Sequence, residues 1–237
     1  MKRYKLIMSD LDNTLLPIYT QERFAQMWLR DMARKFVDYG IDPKKALEGI
    51  NNGIRAMIFN DTGRRNIEVF YDVVKDISGY TEAQVAPIML DYYNSTFDNI
   101  YELTLPNPHA VTIARLMREK ADHSVVATMP VFTIEAVHSR MSWVGLKPGM
   151  FDFITTAETS CYSKPNPKYY QEILDRFGVK ADEALMIGND VREDMQPCKT
   201  LGIDTFLVTD HIITHDLPYD DYRQGRYEDL VAFLESL

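Results

Sequence analysis

The chain has 237 residues, 46% apolar and 26% charged, with a formal net charge of −9 at pH 7. This is the composition of a soluble globular protein large enough to bury a sizeable core, as one domain or as a core with an inserted module. The acidic balance excludes a broad nucleic-acid-binding surface, which needs clustered Lys and Arg, but leaves room for phosphate binding by a few focused cations.

The first predicted element is a short strand, the apolar run Leu6-Ile7-Met8, which ends at Ser9 and Asp10. From about residue 20 to 40, Phe24, Trp28, Met32 and Phe36 recur every four positions and make one face of an amphipathic helix. Shorter helical patterns follow Pro43, follow Arg65 and run over 81–99, punctuated by Gly53 and the Asp61-Thr62-Gly63 turn. No strand-like alternation interrupts them, so residues 17–103 read as an all-helical insertion. Beyond Pro106 and Pro108, helices are predicted near 109–121, 132–144, 166–177, 191–201 and 227–236. Strands are predicted near 124–128, 152–156, 184–188 and 204–208. Such alternation with short connections implies an α/β fold, a doubly wound parallel sheet with helices on both faces. Residues 1–16 and 104–237 would form that core, with hinges at Leu16-Pro17 and around 103–108.

Polar groups follow the predicted strands at four places. Asp10 and Asp12 sit in Asp10-Leu11-Asp12-Asn13-Thr14, and alternation along an extended backbone points both to the same side. Two such carboxylates suit a reaction that needs a nucleophile and a proton donor. Thr128 ends the run that starts at Ser124. Lys164 lies in Ser163-Lys164-Pro165-Asn166-Pro167, where two prolines fix the backbone and start a helix. Asp190 and Asp194 follow Gly188-Asn189, at positions that helix capping and the helix dipole also favour. Ligands of open α/β sheets gather at the carboxyl ends of the strands, so these segments are expected to converge on one crevice.

The order Asp-x-Asp-x-Thr, Thr, Lys, Gly-x-Asp-x-x-x-Asp resembles the haloacid dehalogenase-like hydrolase superfamily, over roughly residues 4–16 and 105–210. The resemblance implies a Rossmann-like core whose inserted helices form a cap, of the type called C1, closing over the site. It implies that Asp10 is the nucleophile and a ligand of Mg2+, and that Asp12 is general acid and then base, with its backbone carbonyl also on the metal. Lys164 would neutralise Asp10 and the transferring phosphoryl oxygens, and Thr128 would donate to one of those oxygens. Asp190 would ligate Mg2+ directly and Asp194 through water or by orienting the shell. Asp at position 12 looks like a phosphatase or phosphomutase, since dehalogenating relatives lack it. Met129 is a departure: many relatives carry Asn there, so phosphate contacts fall to backbone amides or the pocket is more apolar. Thr14 is expected to steady the turn and orient Asp12, with Asn13 a turn residue.

Arg64 and Arg65, just after Gly63 in the insertion, are candidates for the substrate's far end. Asp210-His211 and His215-Asp216 fall in a polar segment with no strand to rigidify it and read as surface loop. Cys161 and Cys198 have no metal-ligand spacing and form no disulfide framework. The apolar stretch behind Met1-Lys2-Arg3-Tyr4-Lys5 is too short for a signal-peptide core, and no run reaches membrane-spanning length. The expectation is a cytoplasmic, Mg2+-dependent phosphohydrolase acting on a small phosphorylated metabolite through phospho-Asp10, with no nucleic-acid or membrane partner. A phosphomutase is the enzymatic alternative. A phospho-accepting signalling domain is disfavoured by Asp12 and the large insertion. A non-catalytic binding protein on a hydrolase scaffold has only Met129 to support it.

Overall fold

The computed structural model describes residues 4–237; Met1–Arg3, part of the short N-terminal stretch discussed above, lie outside them. Six strands form one sheet: β1 Leu6–Ser9, β2 His123–Val126, β3 Phe153–Ile154, β4 Ala184–Gly188, β5 Asp204–Val208 and β6 Gln224–Gly225. Their order is β3-β2-β1-β4-β5-β6 and every pairing is parallel. In the centre, Leu6 is in register with His123 on one side and Ala184 on the other.

A parallel sheet covered on both faces needs apolar residues at successive positions, and β1 is buried throughout. Leu6 and Met8 pack with Val125, Ala127, Ala184 and Met186 beneath Tyr169, Tyr170, Ile173 and Leu174 of α7 (Pro167–Phe177). Ile7, Val126, Leu185, Ile187 and Phe206 face the other way. There they meet Ile113, Ala114 and Met117 of α5 (Ala110–Lys120) and Leu230 and Leu234 of α9 (Tyr227–Glu235). The chain winds outward in opposite directions from β1 and β4, so the switch point lies between those two strands.

Between β1 and α5 stand four helices, α1 Gln21–Asp38, α2 Pro43–Ile58, α3 Asn66–Ser78 and α4 Glu82–Ser95, followed by a 3-10 turn over Phe97–Leu103. The four-residue spacing in α1 has the predicted effect: Phe24, Trp28, Met32 and Phe36 are its buried apolar residues. α2 and α3 lie close because a Cβ at Gly53 would sit 2.6 Å from Phe70 Cδ2. Where the chain leaves the core and rejoins it, Tyr19 N donates to Leu103 O at 2.9 Å and Leu105 N to Pro17 O at 2.9 Å. The apolar cluster runs without a break from α1 into one face of the sheet.

A polar junction joins the helical block to the loops at the strand ends. Asn66 is fully buried, and its amide nitrogen donates to Pro130 O and Ser163 Oγ, each at 3.1 Å. Its Oδ1 accepts from Asn60 Nδ2, which also reaches Cys161 O at 2.8 Å. Ser163 Oγ in turn donates to Met57 O at 2.9 Å.

The remaining differences from expectation are local. The strand predicted over 152–156 narrows to two residues, and β6 was not foreseen because two residues carry no periodicity. The helix predicted over 191–201 is a π turn, Val191–Met195, leading into α8, Gln196–Leu201. Replacing Asn66 with Leu strands the Pro130 carbonyl and removes the bonds to Ser163 Oγ and from Asn60 Nδ2 in a buried junction, at an expected cost of about 2–3 kcal/mol in urea unfolding. A change below about 0.5 kcal/mol would show that the junction does not hold the block to the core.

Candidate active site

Asp10 is the first residue beyond β1, and its backbone N–H donates to Ile187 O of β4 at 2.8 Å, which seats it at the switch point. The chain then turns through Asn13, whose φ of 62° suits a short Asx side chain. Asn13 Oδ1 accepts from Ile18 N at 2.9 Å and closes the turn. Asp10 Oδ1 accepts from Lys164 Nζ at 2.8 Å, and Thr14 Oγ1 lies 3.3 Å from Asp10 Oδ2 and 3.0 Å from Asn189 Oδ1. Thr14 therefore steadies Asp10, not Asp12 as expected, because its hydroxyl points back across the turn.

Lys164 is 1% exposed and bridges two carboxylates, with Asp194 Oδ1 2.6 Å from Nζ. Burial by itself would lower the lysine pKa, but the charges of Asp10 and Asp194 more than reverse this and hold it well above the usual value. Asp10 is pushed upward, first by burial and then by the like charges of Asp194 and Asp12, with Lys164 opposing. Asp194 is also approached by the Tyr170 hydroxyl at 3.2 Å, a group that burial and Asp194 itself keep protonated. Its Oδ2 accepts from Asp190 N at 3.2 Å. Both Asp194 oxygens are thus held by protein donors, and its place is beneath the lysine. Gly188 makes this possible, because a Cβ there would lie 2.2 Å from Asp194 Oδ2.

Asp190 opens the π turn, its Oδ1 accepting from Arg192 N and Glu193 N at 2.9 and 2.8 Å. Its Oδ2 lies 2.8 Å from His215 Nε2. The segment around His215 was expected to be surface loop, and here the structure differs. Ile213 pairs with Asp190 as a parallel bridge, and Asn189 Nδ2 donates to His211 O at 2.7 Å. His215 and Asp216 both take left-handed backbone conformations, with φ of 51° and 59°, unfavourable for non-glycine residues and retained where the surroundings enforce them. The segment is a strap across the end of β4. Pairing to an adjacent loop, invisible in sequence, supplies the rigidity that no strand of its own provides.

Asp12 lines the same pocket as Asp10 and forms an ion pair through Oδ2 with Arg140 Nη1 of α6 (Ile134–Trp143). Arg140 was missed in sequence, although a signal was present. It shares the buried face of α6 with Ala136, Val137 and Met141, so a charge interrupts an apolar stripe. Thr128 Oγ1, one residue past the continuation of β2, is buried without a hydrogen-bond partner among the described residues.

Asp10, Asp12, Thr128, Met129, Lys164, Asp190 and Asp194 line one pocket of about 190 Å³, together with Gln21, Asn189, Glu193 and Ile213. Arg64 and Arg65 do not. Arg64 is half-exposed and pairs with Asp72 at 2.8 Å and Glu68 at 3.6 Å, while Arg65 is exposed at the start of α3. Asn60 and Asn66 turn inward at the two ends of this loop and leave the arginines facing solvent. A larger groove between Tyr101 and Trp143 has Glu102 as its one charged lining residue among those described.

The donors facing the pocket are oxygens, as a hard divalent cation requires, and the carboxylate excess that raises Asp10 is what such a cation would offset. Among the described residues no three acidic, His or Cys side chains are gathered as a ready-made metal cluster. Each carboxylate here already has a protein partner: Asp12 has Arg140, Asp10 and Asp194 share Lys164, and Asp190 meets His215.

Fold and pocket define a doubly wound α/β enzyme with an acidic site at the carboxyl ends of its central strands. The chain belongs to the haloacid dehalogenase-like hydrolase family, whose model matches residues 7–208. It is 27% identical over 238 residues to a glyceraldehyde 3-phosphate phosphatase of Methanocaldococcus jannaschii, covering 98% of both chains. It is 24% identical to a phosphoglycolate phosphatase of Aliivibrio fischeri, covering 97% of this chain and 94% of that one. Among solved structures, the HAD-hydrolase YfnB of Bacillus subtilis, bound to magnesium, superposes with a TM-score of 0.55 at 20% identity, covering 99% and 100% of the two chains. No helix among the described residues is long and apolar enough to cross a membrane.

Replacing Lys164 with Met leaves Asp10 and Asp194 buried together without their cation, at an expected cost of about 3–5 kcal/mol in urea unfolding. A loss under about 1 kcal/mol would mean that the lysine does not hold the two carboxylates together.

Proposed function

We propose that this protein is a Mg2+-dependent phosphohydrolase that cleaves small phosphomonoesters through a phospho-Asp10 intermediate. The observation that carries this reading is Lys164 bridging Asp10 and Asp194 beneath a small acidic pocket at the switch point. Asp10 attacks phosphorus with one carboxylate oxygen, and the bond from phosphorus to the leaving oxygen breaks as Asp12 delivers a proton to that oxygen. Asp12 then takes a proton from water, which attacks phosphorus and returns Asp10 with release of inorganic phosphate. Lys164 and Thr128 Oγ1 face the transferring oxygens. Held by Asp10, Asp190 and the Asp12 carbonyl, Mg2+ would offset the charge between nucleophile and phosphate dianion. Asp194 acts through Lys164.

Residues 17–103 serve in this reading as the cap, of the C1 type, over a core made of 1–16 and 104–237. α1 brings Gln21 to the pocket rim, and the junction at Asn66 supports a docked arrangement. Two free cysteines support a reducing compartment, so the proposed location is the cytoplasm.

The pocket also bears on the substrate. Among the described residues its lining offers no cation apart from Lys164, already neutralised; beyond the reacting groups it presents Gln21, Met129, Asn189, Glu193 and Ile213. A leaving group with its own carboxylate or phosphate finds no partner there, whereas a small uncharged aldehyde or polyol does. The glyceraldehyde 3-phosphate phosphatase of M. jannaschii supports the same side of that choice. Phosphate release measured across phosphorylated metabolites, with Mg2+ and with chelator, is expected to favour glyceraldehyde 3-phosphate over phosphoglycolate by at least about tenfold in kcat/KM. In Asp10→Asn, release is expected to fall at least about a thousandfold. Undiminished activity in that variant would overturn the nucleophile, and preference for phosphoglycolate would overturn the uncharged leaving group.

A further inference from the structure

Building on the phosphohydrolase reading above, on which it depends, we propose that Arg140 is the positioning residue for Asp12 and ties the action of that acid to the docked helical block. Arg140 is 1% exposed and held on three sides. Its Nη1 pairs with Asp12 Oδ2, its Nε donates to Ala136 O at 3.3 Å, and its guanidinium lies 4.4 Å from the centre of the Phe132 ring. A planar fork fixed in this way sets where a carboxylate stands, which a flexible ammonium would not do.

Two buried atoms in the pair remain unpartnered among the described residues, Asp12 Oδ1 and Arg140 Nη2. Leaving such atoms unmatched is costly, and a purely structural pair would be expected to match both. Here one carboxylate oxygen is anchored by the arginine, and the other is left to exchange a proton with the leaving oxygen and later with water. The anchored oxygen fixes the direction of the free one.

The same arginine is joined to the helical block. The Phe132 ring that it covers meets the edge of Trp28 on α1, with centroids 6.3 Å apart. At the far end of α6, Trp143 packs on Phe97 at 5.2 Å and donates through Nε1 to Asp98 at 2.9 Å. α6 is thus gripped at both ends by the insertion, and Asp12 is aimed when those helices are seated.

Proton delivery matters when the leaving group is an alkoxide and matters little when it is already a stable anion. The test compares glyceraldehyde 3-phosphate with acetyl phosphate, a small substrate whose leaving acetate needs no proton, using kcat/KM because it reports the transfer to Asp10. In Arg140→Met the alkyl ester is expected to lose about a hundredfold and acetyl phosphate less than about fivefold. Asp12→Asn should show the same selectivity, and the double variant should lose little more than either. Arg140→Lys, which keeps the charge but not the fork, should lose selectively to an intermediate extent, and it carries the comparison if Arg140→Met does not fold. Equal losses on both substrates, or losses from Arg140 and Asp12 variants that multiply, would overturn the positioning role. A wild type inactive on both substrates would instead overturn the underlying phosphohydrolase reading.

Discussion

A buried ammonium held between two carboxylates is the constraint around which this site is built. Lys164 is almost wholly buried, and an unpaired charge at such a depth would not persist. Its two partners must therefore come from opposite sides of the switch point, Asp10 from the end of β1 and Asp194 from the π turn after β4. Gly188 lacks a side chain where Asp194 passes, and Tyr170 covers the same carboxylate from α7. Each of these residues makes sense once the lysine is placed, and Asp10 is aligned by the same contact that balances its charge.

The rest of the acidic excess is divided among separate partners. Asp12 has an arginine, Asp190 has two backbone amides and a histidine, and Asp194 has the lysine and a phenol. Side chains that line one acidic pocket are three differently supported groups. That separation gives neighbouring aspartates different chemical tasks, since environment and not residue type sets what a carboxylate can do.

The sequence was most informative where a pattern repeats. Strand and helix alternation after Pro106 gave the sheet, and the four-residue spacing from Phe24 to Phe36 gave the buried face of α1. The convergence of Asp10, Thr128, Lys164 and Asp190 was legible because the ends of parallel strands meet in one place. What could not be read were contacts between segments without periodicity. His215 reaches Asp190 from a loop more than twenty residues downstream, and only the paired backbone at Ile213 brings it there. The place of Arg64 and Arg65 outside the pocket was illegible for the converse reason: type and loop position are visible in sequence, but the inward turn of Asn60 and Asn66 beside them is not.

The register of the central strand also dictates an order of assembly. Leu6 leaves the ribosome well before its neighbours in register, His123 and Ala184. Closing such distant pairings is slow, and until they form an apolar strand lies open to association with other chains. The helices that follow it need only local contacts, α2 against α3 foremost, and can condense while the ribosome is still adding the remainder. They share an apolar cluster with Ile7, Leu11 and Leu15, so the nascent strand has a surface to shelter on before its sheet exists. The helical block would thereby act first as an intramolecular chaperone for the strand that ends in Asp10.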